Sequence, residues 1–222
     1  MATGWWRLLR NRSLICLTIS YGAVGYLEYL FFYWMNHYFV QVRHLDPKDS
    51  RFYSSIPPAV MVVGMLLGGW ISDLMVRRFG YRLGRMIVPV VGMLLGAVGL
   101  YAGAKADATV WIVTWFSLAL GAIGATESPF WSTAIELGGR RHGGTAGGIF
   151  NTGGNLGGIV APYLTPWIAK EFKDVSWVPT YFGDSWRLSL YLGSLIVLAG
   201  VVVWFWINPA ERIEDEPQPE AS

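Results

Sequence analysis

Apolar residues fall in long blocks along the chain, interrupted at a few points by short charged stretches. The hydrocarbon core of a bilayer is about 30 Å thick and a helix rises 1.5 Å per residue, so a block of about 18 or more apolar residues can span it. Six blocks meet that length: 13–40, 52–74, 85–104, 109–137, 143–169 and 186–208. Backbone groups in lipid must be satisfied within their own segment, which predicts an α-helix for each. The fifth block is the least regular, with ten glycines between Gly138 and Gly158. Around the blocks, the polar stretches predict a cytoplasmic N-terminal segment over 1–12, a transmembrane bundle over 13–208, and a disordered cytoplasmic tail over 209–222, where NPAERIEDEPQPEAS is polar and proline-bearing.

Composition supports lipid as the solvent. The chain is 53% hydrophobic and only 14% charged, against roughly 25% charged for an ordinary soluble domain. The opening GWWRLLRNR resembles the basic region of a signal peptide. The apolar block after it is too long for one, and no A-x-A site follows, so it reads as a first span. Cys16 is the single cysteine and excludes an intrachain disulfide. No metal-ligand cluster, phosphate-binding loop, nucleotide fingerprint or nucleophile triad is visible. The sequence therefore predicts neither an enzyme nor a cofactor.

Charge supplies the orientation. With six spans both ends share one side, and that side carries 10 of the 17 basic residues, all arginine: Arg7, Arg10, Arg12, Arg77, Arg78, Arg82, Arg85, Arg140, Arg141 and Arg212. The other side carries Arg43, Lys48, Arg51, Lys105, Lys170, Lys173 and Arg187. The positive-inside rule then places both termini in the cytoplasm. The basic loops are a topology signal rather than a nucleic-acid patch.

Two acids lie inside spans, Glu28 in the first and Glu127 in the fourth. A carboxylate at membrane depth is costly and normally faces a cavity or a partner. Their positions predict depths differing by about 8 Å, both near the midplane. Glu28 and Glu127 are candidates for ion coupling; the alternative is a hydrogen bond to a neighbouring helix. In the fifth span, Gly147, Asn151 and Asn155 form one i,i+4 stripe. Glycine weakens a helix by up to about 1 kcal/mol per position, and small residues four apart let helices approach closely. Amides can donate to carboxylate or hydroxyl oxygens, so Asn155 and Asn151 are candidates for substrate contact or for interhelical bonding. Tyr29, on the first span, is a further candidate cavity residue, or one that faces lipid.

Between the second and third blocks lies GGWISDLMVRRFG, residues 68–80. From Gly69 it reads G-x-x-x-D-x-x-x-R-R, which resembles the loop signature of the major facilitator superfamily at Gly69, Asp73, Arg77 and Arg78. Leu74 and Val76 depart from the signature, as in its degenerate second copy. Asp73 and Arg77 are otherwise an ordinary i,i+4 pair, worth a few tenths of a kcal/mol. Residues 126–163, with Pro129, Trp131, Asn151, Thr152, Gly154, Asn155, Leu156, Gly157, Gly158, Pro162 and Tyr163, are similar to spans ten and eleven of the anion:cation symporter branch of that superfamily.

The resemblance implies an all-α integral membrane fold in which six transmembrane helices, as two inverted three-helix repeats, form one half of a major facilitator fold. It implies the C-terminal half of a secondary transporter for organic anions, such as sugar acids or other carboxylates, coupled to protons or Na⁺. Under it, Asn155 matches a substrate-contacting asparagine, and the helices bearing Glu28 and Glu127 line the cavity. Gly69, Asp73, Arg77 and Arg78 form a gating loop. The implied partners are a small-molecule organic anion, the lipid bilayer of a cell membrane (a bacterial inner membrane), and an N-terminal six-span half, missing or separately encoded. The alternative is an inactive membrane fragment or an assembly partner without transport of its own.

Overall fold

The structure, a computed structural model, describes residues 4–211. The rest of the expected tail, 212–222, lies outside the described residues. Helices α1 (Gly4–Arg10), α2 (Arg12–His37), α3 (Pro47–Phe79), α4 (Tyr81–Lys105), α5 (Thr109–Leu137), α6 (Gly139–Glu171), α7 (Trp177–Phe182) and α8 (Ser185–Val203) follow one another, with no strand among the described residues. The six long helices fall where the six apolar blocks predict them. The short α1 and α7 are additions.

Local sequence sets the helix starts. Asn11 accepts from the Leu14 amide, Asp46 from Lys48 with Pro47 in the first turn, and Asp184 from Arg187, so each caps an otherwise orphan donor. A π-helical turn, Tyr38–Val42, extends α2, and a 3₁₀ turn, Trp204–Trp206, extends α8. Five of the six long helices are long and apolar enough to cross a membrane, and α6 is not among them. Its glycines and amides lower its hydropathy, yet its 33 residues reach about 50 Å. Its exposed surface mixes Asn151, Thr152 and Asn155 with Leu156, Ile159, Val160 and Tyr163.

Helices α2 and α6 form one extensive interface and α3 and α5 another. In both pairs the contacts advance together along the two helices, so each pair runs parallel: Thr18 meets Gly153 and Tyr29 meets Gly158, while Gly64 meets Gly121 and Gly68 meets Ala125. Exchanging α2–α3–α4 with α5–α6–α8 maps one pair onto the other, which is the pattern of two inverted three-helix repeats. Backbone contact requires glycine here. A Cβ at Gly157 would overlap the Gly22 carbonyl, and one at Gly68 would overlap that of Ala125, the small-residue packing found between membrane helices.

The two ends of the bundle differ in how they are tied. At one end, Asn11 and Ser13 donate to the Glu211 carboxylate at 3.0 and 2.6 Å, and the Asn208 amide donates to Ser13 at 3.1 Å. The first residues of the expected tail, up to Glu211, are thus tied to the start of α2. The α3–α4 and α5–α6 turns lie at this same end. At the other end, Arg43 donates to the Asp107 carbonyl and Arg187 pairs with Asp107 and Asp184.

Candidate functional site

Glu28 on α2 and Glu127 on α5 are brought together. Their carboxyl groups lie within hydrogen-bonding reach of each other. Tyr21, two turns before Glu28 on α2, donates its phenolic hydrogen to Glu127 Oε2 at 2.9 Å. Its ring stacks on Phe150 of α6, centroids 4.1 Å apart, and rests against Gly154. Trp131, one turn beyond Glu127, borders the pair and packs on Phe150 at 5.2 Å. Both acids are half-buried as residues, but Glu28 Oε1 and Glu127 Oε1 are fully buried without a hydrogen-bond partner. The two carboxyls border each other, and Tyr21 and Trp131 border Glu127; among the described residues neither acid takes part in a salt bridge. The depth difference of about 8 Å expected from straight helices does not keep them apart. Helices tilt in a bilayer, and flexible glutamate side chains span what remains.

Asn151 and Asn155 are exposed on α6, on a flank of the face that packs against α2. Asn155 Nδ2 donates to the Asn151 carbonyl at 3.1 Å, within its own helix. Gly147, third member of the expected stripe, is buried, and a Cβ there would lie 3.5 Å from the Trp131 ring. The stripe therefore divides: its glycine packs against α5 and its amides face outward. Tyr29 is half-buried, lies against Gly158 and stacks with Tyr33 at 6.0 Å. Among the described residues no hydrogen bond joins the amides to the carboxyl pair.

At the gating loop, the plain i,i+4 alternative is not the pairing observed. Asp73 does not pair with Arg77. It pairs with Arg85, at 3.0 Å, and Arg85 also reaches Glu136 on α5 at 3.3 Å and Ser72 at 3.2 Å. The reason is the turn between α3 and α4. Gly80, with φ +78°, reverses the chain and lays the first turn of α4 against Val76, close enough that Gly84 has no room for a Cβ. Arg85 thereby ties its own helix α4 to the ends of α3 and α5, while Arg77 and Arg78 stay exposed, Arg78 over the Phe79 ring at 5.6 Å. Gly69 lies beside Ser128, and a Cβ there would come to 2.9 Å from its hydroxyl.

Sequence reasoning missed Trp131, Arg85 and Glu136 as members of these sites, and it counted Tyr21 only among the first-span aromatics, Tyr21, Tyr26, Tyr29, Tyr33 and Trp34, that line a cavity or face lipid. Arg85 and Glu136 carried one usable signal: each is a charge at the boundary of an apolar block, on the side that holds Asp73. A separate cavity of about 440 Å³ lies between α2, α6 and α8, lined by Ile19, Tyr26, Leu156, Val160, Ile196 and Val203 among others. Its walls are apolar and it contains none of the nominated residues. Among the described residues no group of three or more His, Cys, Asp or Glu is placed to hold a metal ion.

Comparison with known proteins agrees with this architecture. The family model described as Major Facilitator Superfamily matches residues 2–162 and, in a second match, 78–222. A probable galactarate/D-glucarate transporter of Escherichia coli K12 is 30% identical over 209 residues, covering 91% of this chain and 44% of its own length. A probable sulfoacetate transporter of Cupriavidus necator is 29% identical over 223 residues, covering 99% and 48%. The chain spans about half the length, or less, of the curated relatives it matches. Among solved structures, a bacterial homologue of the human drug peptide transporters superposes with a TM-score of 0.72 at 17% identity, over 87% of this chain and 41% of that one. The inward-open xylose transporter of E. coli superposes with 0.66 at 15% identity, over 86% and 47%. These two likenesses concern the fold alone.

Proposed function

The chain belongs to the major facilitator superfamily, a family of transporters, and from that premise we propose that it forms the C-terminal six-helix half of a secondary active transporter for organic anions. The observation that carries the reading is the match of 91% and 99% of the chain to relatives named for galactarate, glucarate and sulfoacetate. Sugar acids and sulfoacetate are small carboxylates. The exposed amides of Asn155 and Asn151 suit carboxylate and hydroxyl oxygens, with Tyr29 on the facing helix. The substrate is accordingly a sugar acid or a similar carboxylate. Glu28 and Glu127 serve ion coupling, to protons or Na⁺. The Asp73–Arg85–Glu136 cluster holds one end of the bundle closed, with Gly69 admitting Ser128 and with Arg77 and Arg78 at the turn. The arginine-rich turns and both termini face the cytoplasm of a bacterial cell.

An alternating-access carrier rocks one six-span bundle against another around a site between them. This chain supplies one wall, and an N-terminal six-span half supplies the other. The chain alone then does not transport. The test is uptake of radiolabelled sugar acids into proteoliposomes holding this chain alone, or together with an N-terminal half from the galactarate/glucarate relative. Uptake only in the second preparation is expected. Saturable, gradient-driven uptake by the chain alone would overturn the half-transporter reading. Silence in both would favour an assembly partner without transport of its own, to which the open amide face of α6 lends support. Orientation is tested by introducing cysteines at Lys48, Lys105 and Lys173, which a membrane-impermeant reagent should label from outside intact cells. Protection of all three would reverse the assigned orientation.

A further inference from the structure

We propose that Glu28 and Glu127 are one binding site rather than two, holding a single proton shared between their carboxyl groups, with Tyr21 as the residue that positions Glu127 to share it. The inference rests on the ion-coupling role given to these acids above, and it names the ion and its number: one proton per pair.

Three observations converge. The two carboxyls are within hydrogen-bonding reach of each other. Each leaves its Oε1 fully buried and unsatisfied. Among the described residues neither carboxyl takes part in a salt bridge. Two ionised carboxylates are acceptors only, so neither can satisfy the other, and like charges this close inside a bundle cannot both persist. One proton turns the two acceptors into a donor and an acceptor and removes both faults together. A second proton is not needed for that bond. The Tyr21 hydroxyl, donating at 2.9 Å, occupies Glu127 Oε2 and leaves Oε1 as the oxygen open to Glu28. From α6, Phe150 and Gly154 pack on the Tyr21 ring and Gly158 lies against Tyr29, and none of the three α6 residues is titratable. In the cycle, the proton leaves the pair for water on one side of the membrane and returns from the other.

A sodium ion is the rival occupant, because oxygen ligands suit a hard cation. Two features disfavour it. The pair offers few oxygens, and one of them is already engaged by Tyr21.

The test needs neither substrate nor a second bundle. The full chain is placed in nanodiscs with ¹³C-labelled glutamate, and the carboxyl C=O stretch is followed by infrared difference spectroscopy across a pH titration. Wild type should show one protonated carboxyl band assigned to the pair. Glu28→Gln and Glu127→Gln should each alter the surviving group, moving its band and shifting its midpoint by at least about one pH unit, the size that marks coupled sites. Tyr21→Phe should move the wild-type midpoint while the chain keeps its helix content and monodisperse elution. Should either glutamine variant fail to fold, Tyr21→Phe and Glu28→Asp carry the same test. A surviving band that does not respond to loss of its neighbour would overturn the shared site. So would displacement of the band by Na⁺ at constant pH. Transport by the assembled protein coupled to Na⁺ would likewise overturn it while leaving the transporter reading intact. A coupled proton band in a protein that transports nothing would do the reverse.

Discussion

Two places in this bundle bring acids from different helices together, and they do so in opposite ways. At the turn between α3 and α4, Asp73 and Glu136 converge on Arg85, whose side chain is only 12% exposed. In the middle of the bundle, Glu28 and Glu127 converge on each other, with a tyrosine and a tryptophan for company. The first cluster is compensated, so it behaves as a clamp whose removal loosens three helix ends. The second has no such cation, and Glu28 Oε1 and Glu127 Oε1 stay buried without a hydrogen-bond partner, so it should contribute little to holding the bundle. Variants that remove the cation from the first place, or one acid from the second, should therefore have very unequal effects on stability.

The largest effect is expected for Arg85→Ala. It removes the cation that lies between Asp73 and Glu136. A buried pair broken on one side costs roughly 3–5 kcal/mol. Asp73 is 62% exposed and Glu136 30%, so water screens part of that loss and about 2 kcal/mol is expected. Thermal unfolding of the detergent-solubilised chain measures it. A melting temperature equal to wild type would show that the cluster is not a clamp.

Glu28→Gln tests the other side of the comparison. An amide can donate to the Glu127 carboxylate in place of the shared proton and leaves the charge of the pair unchanged, so stability should hold to within about 1 kcal/mol. A loss of comparable size to Arg85→Ala would mean that the central pair also holds the bundle together, and the contrast between the two places would collapse.

Asp73→Asn separates the members of the clamp. Its exposure limits the pair to about 0.5 kcal/mol, and Arg85 keeps Glu136. Asp73→Asn should therefore cost much less than Arg85→Ala. Arg77→Ala should cost nothing, since Arg77 is exposed and does not pair with Asp73. If Arg77→Ala were the more damaging of the two, the i,i+4 pairing that the sequence left as an alternative would be the real one.

That pairing shows where sequence stops. The six spans were legible because lipid imposes a length and a polarity on each block, a constraint read one segment at a time. Glu28 and Glu127 were legible for the same reason, as acids where none is expected. Their meeting was not, because it depends on the tilt of α2 and α5 and on the parallel pairing of α2 with α6. Asp73 was legible through its spacing from Gly69 and the arginines. Its true partner lies twelve positions on, past a reversal at Gly80, and no local spacing encodes that. Arg85 read as the start of a span and Glu136 as the end of one. Tyr21 read as one aromatic among several on the first span, since a hydroxyl's partner on another helix leaves no trace in its own. The glycines of α6 were legible as packing residues, but which flank the amides would present was fixed only by the contact of Gly153 and Gly157 with α2.

The smallest effect should come from a third acid, which tests whether a cation suffices to make an acid structural when water is free to enter. Asp107, in the α4–α5 loop, pairs with Arg187 and lies near Arg43, and its side chain is 84% exposed. The Arg187 hydrogen bond and charge hold its carboxyl below the usual carboxylate range, with a smaller contribution from Arg43. A depressed folded value means that the pair's contribution is present above the unfolded value, near 3.9, and is lost as pH falls through the lower folded one. Between neutral pH and about 5 the pair should therefore leave the melting temperature unchanged. Below about 4 the wild type should lose slightly more than Asp107→Asn, which has no charge to lose there, and added salt should shrink that difference by screening. Melting curves of both proteins across the acid range, at low and high salt, make the measurement. If the two lose the same amount at every pH, the Asp107–Arg187 pair contributes nothing, and the clamp at Arg85 owes its strength to burial rather than to the cation.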